Sequence, residues 1–139
     1  MKPALIIDCS ITMAWCFADE FTAAVQEVQD RLATEAALVP AHWPLEVANV
    51  LAMAERRNRI SALDATQFVK LLGAFDIQID EESPSRAFGH VLPLCRSQSL
   101  TSYDVAYLDL ALRSQLPIAT LDDDLRRAAS GLGVDLLGR

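Results

Sequence analysis

Apolar positions along this chain follow two rhythms: short unbroken runs, and longer stretches with apolar residues three and four apart. The first reads as strand and the second as amphipathic helix. Ala4-Leu5-Ile6-Ile7 runs unbroken into Asp8, which suits a strand buried on both faces. Ser10 then reads as the N-cap of a short helix from Ile11 to about Phe17. A helix from Phe21 to about Ala36 carries the stripe Val25, Val28 and Leu32, and Ala37 to Pro40 is a short strand closed by proline. Trp43 to about Arg57 is helical, with Pro44 tolerated in the first turn and Trp43, Val47, Val50, Leu51 and Ala54 on the buried face. After a break at Asn58 to Ser61, Ala62 to Gly73 is a helix and Phe75 to Asp80 a third strand. The acids of Asp80-Glu81-Glu82 read as a solvated turn. Ser85 to Ser97 is helical, with Pro93 kinking or shortening it.

The stretch Leu100 to Leu125 is the most informative. It reads as a helix, a turn marked by Pro117, a buried strand from Pro117 to Leu121, and a burst of acids. Asp104 stacks with Leu108 and Ala111 at i+4 and i+7, so it belongs to the inward stripe. Asp109 falls on the opposite face, one turn before Arg113, where a surface ion pair is expected. A short helix from Asp124 to Leu132 and a last strand from Val134 to Leu137 complete the chain. Strands alternating with helices predict an α/β fold, a three-layer α/β/α sandwich with a mostly parallel central sheet. Crossovers of one hand then bring the carboxyl ends of the strands to one edge, where open sheets bind ligands.

The 139 residues suit a single domain, 1–139. No apolar run approaches the ~20 residues of a membrane span, and the N-terminal run is too short for a signal peptide, so a cytoplasmic protein with no membrane association is expected. Cys9, Cys16 and Cys95 are odd in number and lack Cys-x-x-Cys spacing, which argues against a disulfide framework or zinc. Neither His42 nor His90 has a second histidine at ligand spacing. The net charge of −7 is unpromising for a broad basic nucleic-acid surface but suits a site that holds cations.

Four acids then fall at one predicted edge: Asp8 after the first strand, Glu46 at the margin of a buried helix face, Asp104 at a helix start, and Asp122 after a late strand. Each has a plain structural explanation alone. Asp8 could be a turn residue, Glu46 could complement a helix dipole, Asp104 could close a capping box with Thr101, and Asp122 or Asp123 could cap the last helix. Together they would repel one another, and a divalent cation relieves that repulsion. An all-oxygen donor set favours magnesium or manganese over zinc, and phosphodiester hydrolysis is the chemistry such ions serve.

Leu-Ile-Ile-Asp-Cys-Ser at 5–10, Val-Pro-Ala-His-Trp-Pro-Leu-Glu-Val-Ala-Asn-Val-Leu at 39–51, Leu-Thr-Ser-Tyr-Asp-Val-Ala-Tyr-Leu at 100–108 and Leu-Pro-Ile-Ala-Thr-Leu-Asp at 116–122 resemble PIN-domain ribonucleases, most closely the VapC-type toxins of type II toxin–antitoxin pairs. The pieces span nearly the whole chain in the family's order. The resemblance implies a magnesium-dependent endoribonuclease, with Mn2+ able to substitute, whose catalytic and metal-binding quartet is Asp8, Glu46, Asp104 and Asp122. Thr120 stands where the family often has a hydroxyl near the metal, and Asp124 where a further polar residue joins. It also implies a homodimer, an RNA substrate and a VapB-like antitoxin that wraps the toxin. Trp15, Phe17, Phe21 and Trp43 are candidates for a groove that takes an antitoxin helix.

Other readings fit less well. A haloacid-dehalogenase-type phosphatase needs a second Asp two residues after the first, where this chain has Ser10. A receiver domain needs a lysine after a late strand, and the lysines here are Lys2 and Lys70. A PIN-type RNA-processing nuclease without an antitoxin, and a catalytically inactive PIN-like binding module, remain as alternatives.

Overall fold

The computed structural model describes all residues, Met1–Arg139. Its strands are β1 (Pro3–Ile7), β2 (Ala36–Pro40), β3 (Ile77–Asp80), β4 (Ile118–Ala119) and β5 (Leu136–Leu137). Its helices are α1 (Cys9–Ala14), α2 (Ala23–Arg31), α3 (Trp43–Arg56), α4 (Ala62–Gly73), α5 (Leu92–Gln98), α6 (Ser102–Ser114) and α7 (Asp123–Gly131). The strands form one sheet in the order β3-β2-β1-β4-β5, every neighbouring pair parallel. Helices cover it to give the expected three-layer α/β/α sandwich.

β1 is the central strand, and its composition explains why. Leu5, Ile6 and Ile7 are all completely buried, so neither face can meet water. From β1 the chain steps outward through β2 to β3, then returns to place β4 on the other side of β1. The strand order therefore reverses at the β1–β4 boundary, the place where open α/β sheets form a ligand crevice at their carboxyl edge. Register carries this to single residues. Ile6 pairs with Ile118 and Ile7 with Ala119, which brings Asp8 level with Thr120.

Several local expectations need correction. Asp8, not Ser10, caps α1: its side chain accepts from the Ile11 N–H at 3.0 Å. The segment expected as one helix from Ser85 is a 3-10 turn (Ser83–Arg86), a π-helical turn (Ala87–Val91) and then α5. Pro93 has no N–H to continue an α-helical ladder, and just before it the Leu92 N–H reaches back five residues to the Ala87 carbonyl.

That segment packs on the outer face of α6, and this overturns two further expectations. Asp109 is buried, not on the surface, and its carboxylate accepts a two-pronged contact from Arg86 at 2.7 and 3.0 Å. Asp80 is not part of a solvated turn either. It is bound by Arg113, which also lies 3.6 Å from Asp109, and by the Ser83 hydroxyl at 2.6 Å. Bidentate guanidinium contacts are the geometry that offsets burying a carboxylate. Asp109→Ala would leave two arginines facing a vacated site, so it should destabilise the fold by about 2 kcal/mol or more. Equilibrium urea denaturation measures this, and an unchanged midpoint would contradict it.

Candidate active site

Asp8 extends from the end of β1 and is 5% exposed. One of its oxygens accepts from the Ser10 hydroxyl at 2.6 Å and the Ile11 N–H at 3.0 Å; the other accepts a short hydrogen bond from the Thr120 hydroxyl. Ser10 Oγ in turn accepts from the Leu121 N–H at 2.9 Å, and Thr120 Oγ1 from the Asp122 N–H at 3.0 Å. The two strand ends are thus stitched together by hydroxyls across the switch point. Behind them the Thr12 hydroxyl donates to the Asp8 carbonyl at 2.7 Å and accepts from the Trp43 indole at 3.1 Å, joining β1 to the start of α3.

Asp122 follows β4 and caps α7, accepting from the Leu125 N–H at 2.9 Å. Its capping role is therefore real, but its charge also acts on its neighbours. Asp8 is pushed up to about 6, first by burial and in part by Asp122, against the lowering effect of its hydrogen bonds. The Asp104 carboxyl, half-buried in the first turn of α6, is also raised, first by burial and then by Asp122 and Glu46. Cys9 is driven to about 12 by burial, with Glu46 and Asp8 adding to the effect. Asp122 thus acts on both Asp8 and Asp104, and Glu46 acts on Asp104.

Two partners were missed in the sequence. Tyr107, almost wholly buried on α6, donates its hydroxyl to Glu46 Oε1 at 2.5 Å. His42 Nε2 lies 3.0 Å from the Tyr103 carbonyl oxygen and 3.2 Å from the same Glu46 oxygen. Both neighbours are acceptors, so Nε2 carries the hydrogen. The signal was spacing: Tyr107 is three residues after Asp104 and His42 four before Glu46, so each shares a helix side with an acid. Thr120 is placed as expected, against Asp8. Asp124 is exposed and paired with Arg127 at 2.9 Å, apart from this cluster.

By donor chemistry the acids fit a hard divalent cation: they are all carboxylates, and Asp8 and Asp104 are both raised, first by burial and in part by their acidic neighbours. No three His, Cys, Asp or Glu side chains converge closely enough for direct three-point ligation.

The sequence matches the PIN domain family over residues 5–131. The chain belongs to the PIN domain family. No curated protein matches it significantly. Among solved structures, PAE2754 from Pyrobaculum aerophilum superposes with a TM-score of 0.70 at 21% identity, covering 96% of this chain and 83% of that one. Mycobacterium tuberculosis VapC20, a sarcin-ricin loop cleaving toxin, superposes with a TM-score of 0.60 at 13% identity, covering 90% of this chain and 95% of that one. At these identities both show the shared PIN fold.

The raised Asp8 carboxyl sets a pH dependence. Its folded pKa lies above the unfolded value of 3.8, so its favourable contribution is full below about pH 4 and is lost as pH rises through about 6. Carboxyls held low by arginine, such as Asp80 and Asp19, lose stability only at lower pH, outside this window. The metal-free protein should therefore melt at a lower temperature at pH 7.5 than at pH 5. Asp8→Asn should shrink that difference, and an undiminished difference in the variant would contradict the assignment.

Proposed function

We propose that this single PIN domain is a magnesium-dependent endoribonuclease, the toxin of a VapBC-type pair. The observation that supports the reading is the strand-order reversal of a PIN fold, where Asp8 and Asp122 follow neighbouring strands, Asp122 acts on the charge of Asp8, and Asp122 and Glu46 act on that of Asp104. In this reading Asp8, Asp104 and Asp122 would hold the cation, one or two directly and the rest through bound water, and Glu46 would ligate it or orient the attacking water. Magnesium or manganese, when bound, supplies charge neutralisation at the scissile phosphate and activation of water. The chain's own part is positional. Ser10, Thr120 and the Ile11 N–H fix both oxygens of Asp8, and the capping bond fixes Asp122.

The regulatory half of the proposal is a homodimer inhibited by a VapB-like antitoxin, in the cytoplasm. No helix of the chain is long and apolar enough to cross a membrane. Of the aromatic residues first considered for an antitoxin groove, Trp15 and Phe17 belong to the buried core, and Phe21 stands exposed at 40%. Trp43 does reach a groove. With Val47, Leu51, Val69 and Leu72 it lines an apolar cleft of about 320 Å3 between α3 and α4, where we place an amphipathic antitoxin helix.

Asp8→Asn and Asp104→Asn should each abolish RNA cleavage and growth inhibition while the protein stays folded. Asp109 lies in a buried ion network and cannot serve as a neutral control, so exposed Glu27 replaces it: Glu27→Gln should stay active. A folded, fully active Asp104→Asn protein would overturn the site.

Metal binding to the native state alone should raise the melting temperature by mass action, with about 2.7 kcal/mol expected at 100 times the dissociation constant. The rise should shrink in Asp104→Asn, and equal shifts in both proteins would point to nonspecific ion effects. The purified toxin–antitoxin complex should be inactive, and proteolysis of the antitoxin should restore metal-dependent cleavage. Cleavage by the intact complex would contradict the regulatory half alone.

A further inference from the structure

Glu46 is the one acid of the quartet that does not follow a strand or start a helix beside the switch point. It sits one turn into α3, and nothing in the sheet holds it. What does hold it comes from α6 and from the residue that precedes α3. The Tyr107 hydroxyl meets Glu46 Oε1 at 2.5 Å, and the His42 ring approaches the same oxygen at 3.2 Å. The other oxygen, Oε2, receives no hydrogen bond from the protein. One half of the carboxylate is therefore tied and the other half is left for the crevice.

The surroundings make this tether rigid. Tyr107 is 1% exposed, so its ring cannot swing away without opening the core. The His42 ring stands edge-on to Tyr107, with centroids 5.3 Å apart, and its Nε2 grips the Tyr103 carbonyl, the residue before Asp104. The first turn of α3, which bears Glu46, is thus locked to the first two turns of α6, which bear Asp104. A glutamate has three side-chain torsions, so without such a lock its oxygens would spread over many positions.

We propose that Tyr107 is a positioning residue for the reaction: its buried hydroxyl holds Glu46 Oε1 so that Oε2 faces the acid cluster. The inference rests on the nuclease reading above and assigns a role to a residue outside the acid quartet. A purely structural tyrosine would matter for its ring. This one matters for its oxygen.

Tyr107→Phe removes that oxygen and keeps the ring. The test compares wild type, Tyr107→Phe, Glu46→Gln and the double variant on a single-stranded RNA substrate with Mn2+. Each protein's melting temperature is also measured with and without Mn2+, with no RNA present. Tyr107→Phe should lower kcat about tenfold or more with KM little changed, and should reduce the Mn2+-induced melting shift. In the Glu46→Gln background the same substitution should add nothing further to either readout, because Tyr107 acts through Glu46. Wild-type kcat and an unaltered Mn2+ shift in folded Tyr107→Phe would overturn the role, as would losses that add fully to those of Glu46→Gln. If Glu46→Gln itself cleaves normally, the placement of Glu46 in the site fails and the role of Tyr107 fails with it. A silent Tyr107→Phe beside a dead Glu46→Gln overturns only the present inference.

Discussion

A carboxylate buried at the end of the central strand is the constraint on which this structure turns. Asp8 cannot reach bulk water, and burial of an unpartnered charge is costly. Three hydrogen bonds from Ser10, Ile11 and Thr120 answer part of that cost, and each also fastens a piece of chain. Ile11 belongs to α1, Thr120 ends β4, and Ser10 reaches over to the Leu121 backbone. The same contacts that tolerate Asp8 therefore close the sheet at its point of reversal. They do not offset the cost fully: burial first, and Asp122 to a smaller degree, still push the Asp8 pKa upward.

The helices extend this logic outward. α6 touches β1, β2 and β4 and carries Asp104 on its inner side. On its outer side Asp109 and the Asp80–Arg113 pair bind the 3-10 and π-helical turns down onto it. Acids facing the crevice lack arginine partners, whereas acids facing the 83–91 segment are fully paired with them. That contrast separates the arginine-paired carboxylates from the proposed quartet more sharply than burial does, since Asp8 and Asp109 are about equally hidden at 5% and 6% exposed.

Much of this was legible in the residues. The run Leu5-Ile6-Ile7 announced a strand buried on both sides, α4 lies where its spacing predicted at Ala62–Gly73, and Asp8 and Asp122 follow adjacent parallel strands at the switch point. What failed depended on information from far along the chain. Asp109 was read as a surface residue because helical periodicity assumes that one face is wet, and α6 is covered on both. Asp80 was read as solvated because its partner, Arg113, is 33 residues away. Ser10 fits a cap on local propensity, but Asp8, one residue past β1, holds the extended cap conformation at φ −93° and its side chain takes the Ile11 N–H. Spacing alone does not single out Tyr107, since only the tertiary fold brings its hydroxyl to Glu46.

The central claim is that these four carboxylates form one cation site. Crystals soaked in Mn2+ and recorded at a wavelength where manganese scatters anomalously would test it most directly. The account predicts an anomalous peak in the crevice at the ends of β1 and β4, among Asp8, Glu46, Asp104 and Asp122, and its loss in Asp104→Asn. A crevice without a peak at Mn2+ concentrations that support RNA cleavage, or a peak held by other residues, would contradict it.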